Sequence, residues 1–501
     1  MKIAGLDIGT TGCKITVFDR EGNFLDKAYR TYPVKRGTSG HEVDASALLD
    51  SVFEVLREIA VRHPDIDGLG VTSFGEAFVF ADEKGRPLHR AMLLTDIRGG
   101  EECKELAGKV GGRRIASITG VRPHVMYSLS KIMWMKRNRP EIYAQAKHIF
   151  LMEDLVVFAL TGKAQIDYSL ACRTMGFDIH SLCWSEEMFE AAGIDMKLMS
   201  QPVPTGTPAG TLTKEAAERT GLSAKMQVVS VSHDQVAAAV GAGIFGPDKA
   251  VDGAGTSECI TTLYRGLPDE DIMYEGNYSV VPYAVPDTYV CYAFSYMGGG
   301  LIQWCVDTLA KKEKEEAAKK GISVNELLER ECLGADGEVK APTGLLVLPH
   351  FAGGATPYMD TGSKGAIIGL TAGTTLADIY LACMEGVTYE MMLNMEYLAG
   401  PGLQVKMLHA TGGGAKSEVW MQMKADMLNI PITALKTVDA GTAGSAMLTG
   451  IAIGCYKDLE DAAACMVERT KTYYPRAEMH KKYLEMYKRY REVYKAVRPL
   501  V

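Results

Sequence analysis

The chain lacks any Cys-x-x-Cys pair and any cluster of cysteine with histidine, although it holds eleven cysteines. That scatter argues against a zinc site and for buried, reduced thiols in a cytosolic protein. A membrane span is also missing. No uncharged run exceeds Thr288 to Val306, and that stretch contains Ser295, Gln303 and Gly298-Gly299-Gly300, which suits a strand, turn and helix. Asp7 interrupts the first apolar stretch, so no secretory signal is expected and the cytoplasm is the expected location. Positive charge is in deficit: Lys and Arg number 54 against 62 Asp and Glu, a net charge of −8. A nucleic-acid partner, which favours a basic surface, is therefore not expected. A small phosphorylated ligand is still allowed, because a local site need not follow the total.

What is present comes in duplicate. Near the N-terminus, Ile3-Ala4-Gly5-Leu6-Asp7-Ile8-Gly9-Thr10-Thr11 runs on into Lys14-Ile15-Thr16-Val17-Phe18. Midway, Val251-Asp252-Gly253-Ala254-Gly255-Thr256-Ser257 runs on into Ile260-Thr261-Thr262-Leu263. Each reads as an apolar strand, a tight Gly-Thr-Thr/Ser turn and a second strand. Glycine lets the backbone approach a ligand, and adjacent hydroxyls and amides offer donors to anionic oxygens. Two such turns in corresponding places suggest a duplicated nucleotide clamp. At 501 residues the chain exceeds one core, so two domains of roughly 200–250 residues are expected. The boundary is placed at Gly243–Pro247, giving units 1–243 and 244–501.

Residues 2 to 32 alternate as a β-meander, and apolar spacing predicts a helix over Ala45 to Arg62. Gly68–Thr72, Phe78–Asp82 and Met226–Val231 read as strands; 124–200 reads as mainly helical; Asp234 to Gly241 opens an alanine-rich helix. The second half repeats the grammar, with strands at 277–296, Leu345–Leu348 and Val405–His409 and helices from Leu301, Thr375 and Ser417. The charged tail 457–496 is expected to be a solvated surface helix. Strand-first alternation implies a layered α/β architecture.

Two glycine motifs mislead. Gly241-Ala242-Gly243-Ile244-Phe245-Gly246 follows a helix where a dinucleotide fingerprint must follow a strand, so it reads as a helix end and hinge. Gly412-Gly413-Gly414-Ala415-Lys416-Ser417 lacks the P-loop glycines but joins a strand to a helix N-terminus, where amides and dipole suit an anion. It is either a nucleotide bed or an ordinary βα turn. Asp7 is either a solvated turn residue or a Mg²⁺ ligand bridged to phosphates. Asp234, in Ser232-His233-Asp234-Gln235, is either a helix N-cap or a general base at the carboxyl end of a strand. His233 is structural or a ligand contact, and Glu76 a turn residue or a hydroxyl ligand.

In this order the segments resemble the FGGY family of carbohydrate kinases over essentially the whole chain. Asp7-Ile8-Gly9-Thr10-Thr11 with Lys14 looks like the first phosphate loop, and Gly253–Ser257 like the second. Ser128-Leu129-Ser130-Lys131-Ile132-Met133-Trp134 is similar to the first signature, and Gly344–Met359 with Gly365–Leu370 to the second. Ser232–Gln235 resembles the catalytic-aspartate segment; Gly412–Ser417 and Ala440–Met447 resemble the adenosine region. Two features depart from the pattern. Gly353-Gly354-Ala355 precedes Thr356-Pro357 where an acidic-basic pair is common, and the tetrapeptide that names the family is absent.

The resemblance implies a two-domain, actin-like (ribonuclease H-like) ATPase and sugar-kinase fold with a cleft between domains. It implies ATP as co-substrate, Mg²⁺ at Asp7 and Asp234 as the base. Nucleotide would be held by Gly9, Thr10, Thr11 and Lys14 from one side, and by Gly255, Thr256, Gly299, Gln303, Gly413, Gly414 and Ser417 from the other. Gly75, Glu76, Asp96, Arg98, His233 and Gln235 are the acceptor-side candidates. Gly75-Glu76 stands where xylulose kinases resemble one another in a Met-His pair and glycerol kinases in an Arg-Glu pair. Glu76 and Gln235 are thus half of the polyol arrangement without its arginine, and Met126 falls where a glycerol-contacting tyrosine is expected. A ketose such as xylulose or another pentulose is the first expectation and a polyol the second; an actin-like ATPase or sugar sensor is the distant one. The partners implied are a small sugar and MgATP, with a homodimer as candidate assembly.

Overall fold

The computed structural model describes residues 1–37, 40–334, 337–400, 403–436 and 439–501. Strands β1 (Lys2–Ile8), β2 (Gly12–Asp19) and β3 (Phe24–Thr31) form the expected meander, closed at the first turn by Gly9 N donating to Gly12 O at 2.9 Å. Helix α1 (Ala45–Arg62) starts where Asp44 accepts from the Ser46 and Ala47 amides, and it buries Leu48, Val52, Val55, Leu56 and Ile59. Strand β4 (Gly68–Ser73) then runs parallel to β1, and β6 (Gln227–His233) parallel to β4, with β5 (Thr207–Thr211) antiparallel on the edge. The six-stranded order is β5-β6-β4-β1-β2-β3.

The second sheet repeats this plan. β7 (Lys249–Ala254), β8 (Glu258–Arg265) and β10 (Thr288–Ser295) make an antiparallel triplet, with β9 (Val280–Pro282) on its edge. β11 (Met407–Thr411) and β12 (Ile432–Leu435) extend it in parallel from the other side of β7, and β13 (Arg469–Tyr473) closes the edge. The order is β9-β10-β8-β7-β11-β12-β13. In both sheets the first strand lies between its antiparallel hairpin partner and a parallel strand. That is the point where strand order reverses and where open α/β sheets leave a crevice. The two Gly-Thr turns sit beside it.

The halves meet through helices that approach backbone to backbone. Helix α3 (Asp234–Gly241) crosses α7 (Ala440–Ala452) at glycines. A Cβ on Gly241 would stand 2.0 Å from Ala440 O, and one on Gly444 1.9 Å from Ala237 O. α7 also lies on the first sheet, where a Cβ at Gly5 would meet Thr442 O at 2.1 Å. Ala440–Met447 is therefore packed between α3 and the first sheet, with Gly441 beside Asp7. Gly241 ends α3, as its sequence context implies, and Gly243 follows at φ +75°.

Three expectations need revision. The tail is not a solvated helix: it contributes β13, and α8 (Ala477–Tyr490) buries Tyr483, Tyr487 and Tyr490. Tyr490 Oη donates to the buried Glu390 at 2.5 Å. The lysines and arginines between the tyrosines form its outer face, and their number conceals a core stripe at positions i, i+4 and i+7. Residues 124–200 also contain short strands, among them His148–Phe150 and Gln165–Asp167, too brief to carry a period. The strand expected over Phe78–Asp82 is confined to Val79–Ala81.

Candidate active site

The second turn opens onto a cavity of about 1160 Å³. Gly255, Thr256, Gly299, Gln303, Gly413, Gly414 and Ser417 all line it. Helix α4 (Gly299–Leu309) begins against the turn, with Gly298 N donating to Thr256 O at 2.9 Å and Gly299 N to Gly255 O at 2.8 Å. A Cβ on Gly299 would stand 2.7 Å from Gly255 O, so no other residue allows this approach. Gly412, at φ +85°, brings the loop after β11 equally close to Ala254. That loop leads to α6 (Glu418–Leu428), whose N-cap Ser417 accepts from Trp420 N at 3.1 Å. Two helix N-termini thus border one cavity, an arrangement that suits an anionic ligand.

The first turn carries charge. Antiparallel register sets Asp7 opposite Lys14. The Lys14 ammonium lies 3.6 Å from Asp7 Oδ2 and 2.5 Å from Asp439 Oδ2 at the start of α7. Gly9 and Thr10 are half-buried beside it and Thr11 is exposed. Asp7 Oδ1 is buried without a hydrogen-bond partner among the described residues. Burial pushes the Asp7 carboxyl up to about 6, against the pull of Lys14. No set of three or more His, Cys, Asp or Glu side chains suited to a metal occurs among the described residues. Mg²⁺, which takes one or two carboxylates and completes its shell with phosphates and water, fits the Asp7 carboxylate without one, whereas the Asp439 oxygens are engaged by Lys14 and by Thr442 N.

Asp234 is the first residue of α3, not its cap; His233 holds the N-cap position. The Asp234 carboxylate is 30% exposed and takes a backbone hydrogen bond from Gln235 in the first turn of the helix. His233 Nε2 lies 3.3 Å from Asp234 Oδ1. Burial pushes the Asp234 carboxyl up to about 8, and the charges of Asp7 and Glu76 add to it. Burial and the Arg173 charge hold His233 neutral. Gln235 is exposed beside them. Tyr292 of β10 lies with its ring 6.0 Å from that of His233, so Asp234 stands at the seam of the two sheets.

Glu76 is buried and sits at φ +64°, a conformation that costs a non-glycine residue roughly 1 kcal/mol or more. What holds it is Arg173, whose Nε donates to Glu76 Oε1 at 2.6 Å with Nη2 alongside, and Ser128 Oγ donating to Glu76 O at 2.9 Å. A Cβ on Gly75 would stand 3.1 Å from both Arg173 and His233 side-chain carbons, so the glycine makes room for their meeting. Arg173 belongs to no motif in the sequence. Its one signal is a lone charge in Leu170-Ala171-Cys172-Arg173-Thr174-Met175, directly after the short helix Tyr168–Cys172. The Tyr127 ring lies 5.1 Å from the guanidinium, one residue beyond Met126. Asp96 and Arg98 are engaged elsewhere. Asp96 is buried and accepts from Arg98 Nε and His41 N, both at 2.9 Å, while Arg98 Nη2 reaches Glu42 at 2.7 Å.

This architecture belongs to a known class. The sequence model for the N-terminal domain of the FGGY family of carbohydrate kinases matches residues 2–241, and that for its C-terminal domain matches 253–453. The chain is a member of that family and an ATP-dependent carbohydrate kinase with the two-domain sugar-kinase fold. It is 27% identical over 486 residues to a xylulose kinase of Bacillus subtilis, covering 96% of this chain and 94% of that one. It is 29% identical over 483 residues to a glycerol kinase of Halorhodospira halophila, covering 93% and 91%. The crystal structure of xylulose kinase from Rhodospirillum rubrum superposes with a TM-score of 0.89 at 23% identity, over 100% of this chain and 99% of that one.

Proposed function

We propose that the chain transfers the γ-phosphate of MgATP to a hydroxyl of a ketose, a pentulose such as xylulose, with Asp234 as general base. The observation that carries this is Asp234 itself: a partly exposed carboxylate at the seam, within electrostatic reach of Asp7 on one side and Glu76 on the other. The acceptor hydroxyl gives its proton to Asp234 and its oxygen attacks the γ-phosphorus in line, with ADP departing. Neutral His233 orients the carboxylate, and Gly75, Glu76 and Gln235 border the acceptor, with Asp96 and Arg98 in support. Gly9, Thr10, Thr11 and Lys14 hold phosphate oxygens from the first turn and Gly255 and Thr256 from the second. Gly299, Gln303, Gly413, Gly414 and Ser417 hold the rest of the nucleotide at the two helix N-termini. Mg²⁺ at Asp7 would supply charge neutralisation on the phosphates.

The curated xylulose kinases that match nearly the full chain support the ketose. A polyol acceptor is the second reading, favoured by the Glu76–Arg173 pair, in which an arginine stands beside the glutamate after all. The division into 1–243 and 244–501 is supported by the gap between the two matched ranges. We place the protein in the cytoplasm, where its free thiols stay reduced. The test is coupled ADP release across ketoses, aldoses and polyols. A pentulose is expected to give the highest kcat/KM; ADP release at the same rate with and without every acceptor would make the chain an ATPase and end the proposal.

A further inference from the structure

Three polar atoms near Asp234 have no hydrogen-bond partner among the described residues: Arg173 Nη1, His233 Nδ1 and Tyr292 Oη. Their residues are 6%, 6% and 7% exposed. An unmet polar group at that depth is costly, and more so when it is charged. The three come from separate segments: the end of Tyr168–Cys172, the end of β6, and β10 of the other sheet. They nevertheless converge. The His233 and Tyr292 rings are 6.0 Å apart, and Gly75 alone keeps Arg173 and His233 from colliding with a side chain between them. Native structures keep such costs where a ligand removes them.

Arg173 differs from the other two in being charged. Its Nε and Nη2 are engaged with Glu76, and Nη1 remains as an unused donor. The charge is cancelled on the spot. Nearby, Arg98 is matched by Asp96 and Glu42, the buried Lys131 adds a cation facing Glu76 and Asp96, Lys14 is outnumbered by Asp7 and Asp439, and Asp234 adds a further carboxylate once it is ionised. An entering carboxylate would meet that surplus of negative charge, whereas a hydroxyl or carbonyl oxygen would meet a hydrogen-bond donor.

We propose that Arg173 Nη1 donates directly to an oxygen of the phosphoryl acceptor, and that Glu76, by neutralising the guanidinium, confines the acceptor to uncharged polyhydroxy compounds and turns away aldonates. This rests on the reading of Asp234 as the base for phosphoryl transfer. Arg173 acts as an acceptor-binding residue, and Glu76 sets what charge the acceptor is allowed to carry.

The test begins with wild-type enzyme, MgATP, and a panel of ketoses, polyols and aldonates of equal length. Phosphorylation of the neutral compounds and not of the aldonates is expected; preference for an aldonate overturns the charge argument. Failure of every acceptor overturns the kinase reading alone, and calorimetric binding of the same compounds to wild type and variant then still reads Arg173. The variant is Arg173→Lys, which keeps a cation for Glu76 but removes Nη1. The KM for the acceptor is expected to rise about 10- to 100-fold, with the KM for MgATP unchanged. With one monodeoxy acceptor, the one lacking the contacted oxygen, wild type and Arg173→Lys should give equal kcat/KM. A uniform loss over the acceptor and all its deoxy analogues would show that Arg173 only supports Glu76, and would overturn the proposal. If Arg173→Lys does not fold, the charge-free pair Arg173→Gln with Glu76→Gln is put to the same deoxy series.

Discussion

Asp7 and Lys14 face one another across the antiparallel register of the first hairpin, with 3.6 Å between carboxylate and ammonium. One Asp7 oxygen is thus directed to a cation while the other has no hydrogen-bond partner among the described residues. Replacing Asp7 by Ala should lower activity and raise the Mg²⁺ concentration needed for half-maximal rate, with little change in the melting temperature of the ligand-free protein. A Mg²⁺ titration of initial rate decides it: an unaltered metal requirement removes Asp7 from the metal site.

Asp234→Asn keeps the shape of the side chain and loses the base. Turnover should fall about 10²- to 10⁴-fold, with the circular dichroism spectrum unchanged. Near-wild-type kcat in the folded variant would assign the proton to another group.

The Asp234 carboxyl also makes activity and stability run in opposite directions with pH. Its folded value is about 8 against an ordinary 3.8, so between those limits the folded chain binds a proton that the unfolded chain releases. This group's contribution to stability is present below about pH 4 and is lost as pH rises to 8. The base must be ionised to work, so kcat/KM should climb over the upper part of that range. Melting curves from pH 5 to 9 should show Asp234→Asn gaining on wild type as pH rises, by about 2 °C or more at the upper end. Parallel curves would contradict the raised value.

The crossing of α3 and α7 leaves no room for a side chain at Gly444. Gly444→Val should cost about 3 kcal/mol in urea denaturation, or prevent folding. Gly108, in the helix Gly100–Val110 with nothing near it, is the control: Gly108→Ala should be neutral or stabilise by about 0.5–1 kcal/mol. Equal effects at the two sites would mean that the helices do not approach as closely as described.

Helix α8 separates a core element from a solvated one. Tyr483 is 1% exposed, and Tyr483→Ala should destabilise by about 3 kcal/mol or more. A change below about 0.5 kcal/mol, the usual scale of a surface substitution, would return the helix to solvent.

Much of this molecule is legible along the chain. The meander around Gly9, the helix over Ala45–Arg62 and the strand-to-helix step at Asp234 all follow from spacing and turn chemistry within short windows. The seven residues from the second half expected around one nucleotide do share one cavity. What was not legible depends on pairing at a distance. Asp96 and Arg98 look as available in the sequence as Glu76 does, yet Arg98 and His41 take up the Asp96 carboxylate. Arg173 looks like nothing in particular.

Local sequence determined where strands, turns and helix starts fall, because backbone preferences and apolar periodicity act over a few residues. Tertiary structure alone decided that Arg173 meets Glu76, that α7 covers the first sheet, and that the tyrosines of α8 face inward. Each of these pairs groups far apart in the chain. Desolvation and steric fit act only after the chain has closed on itself, and no local pattern records them.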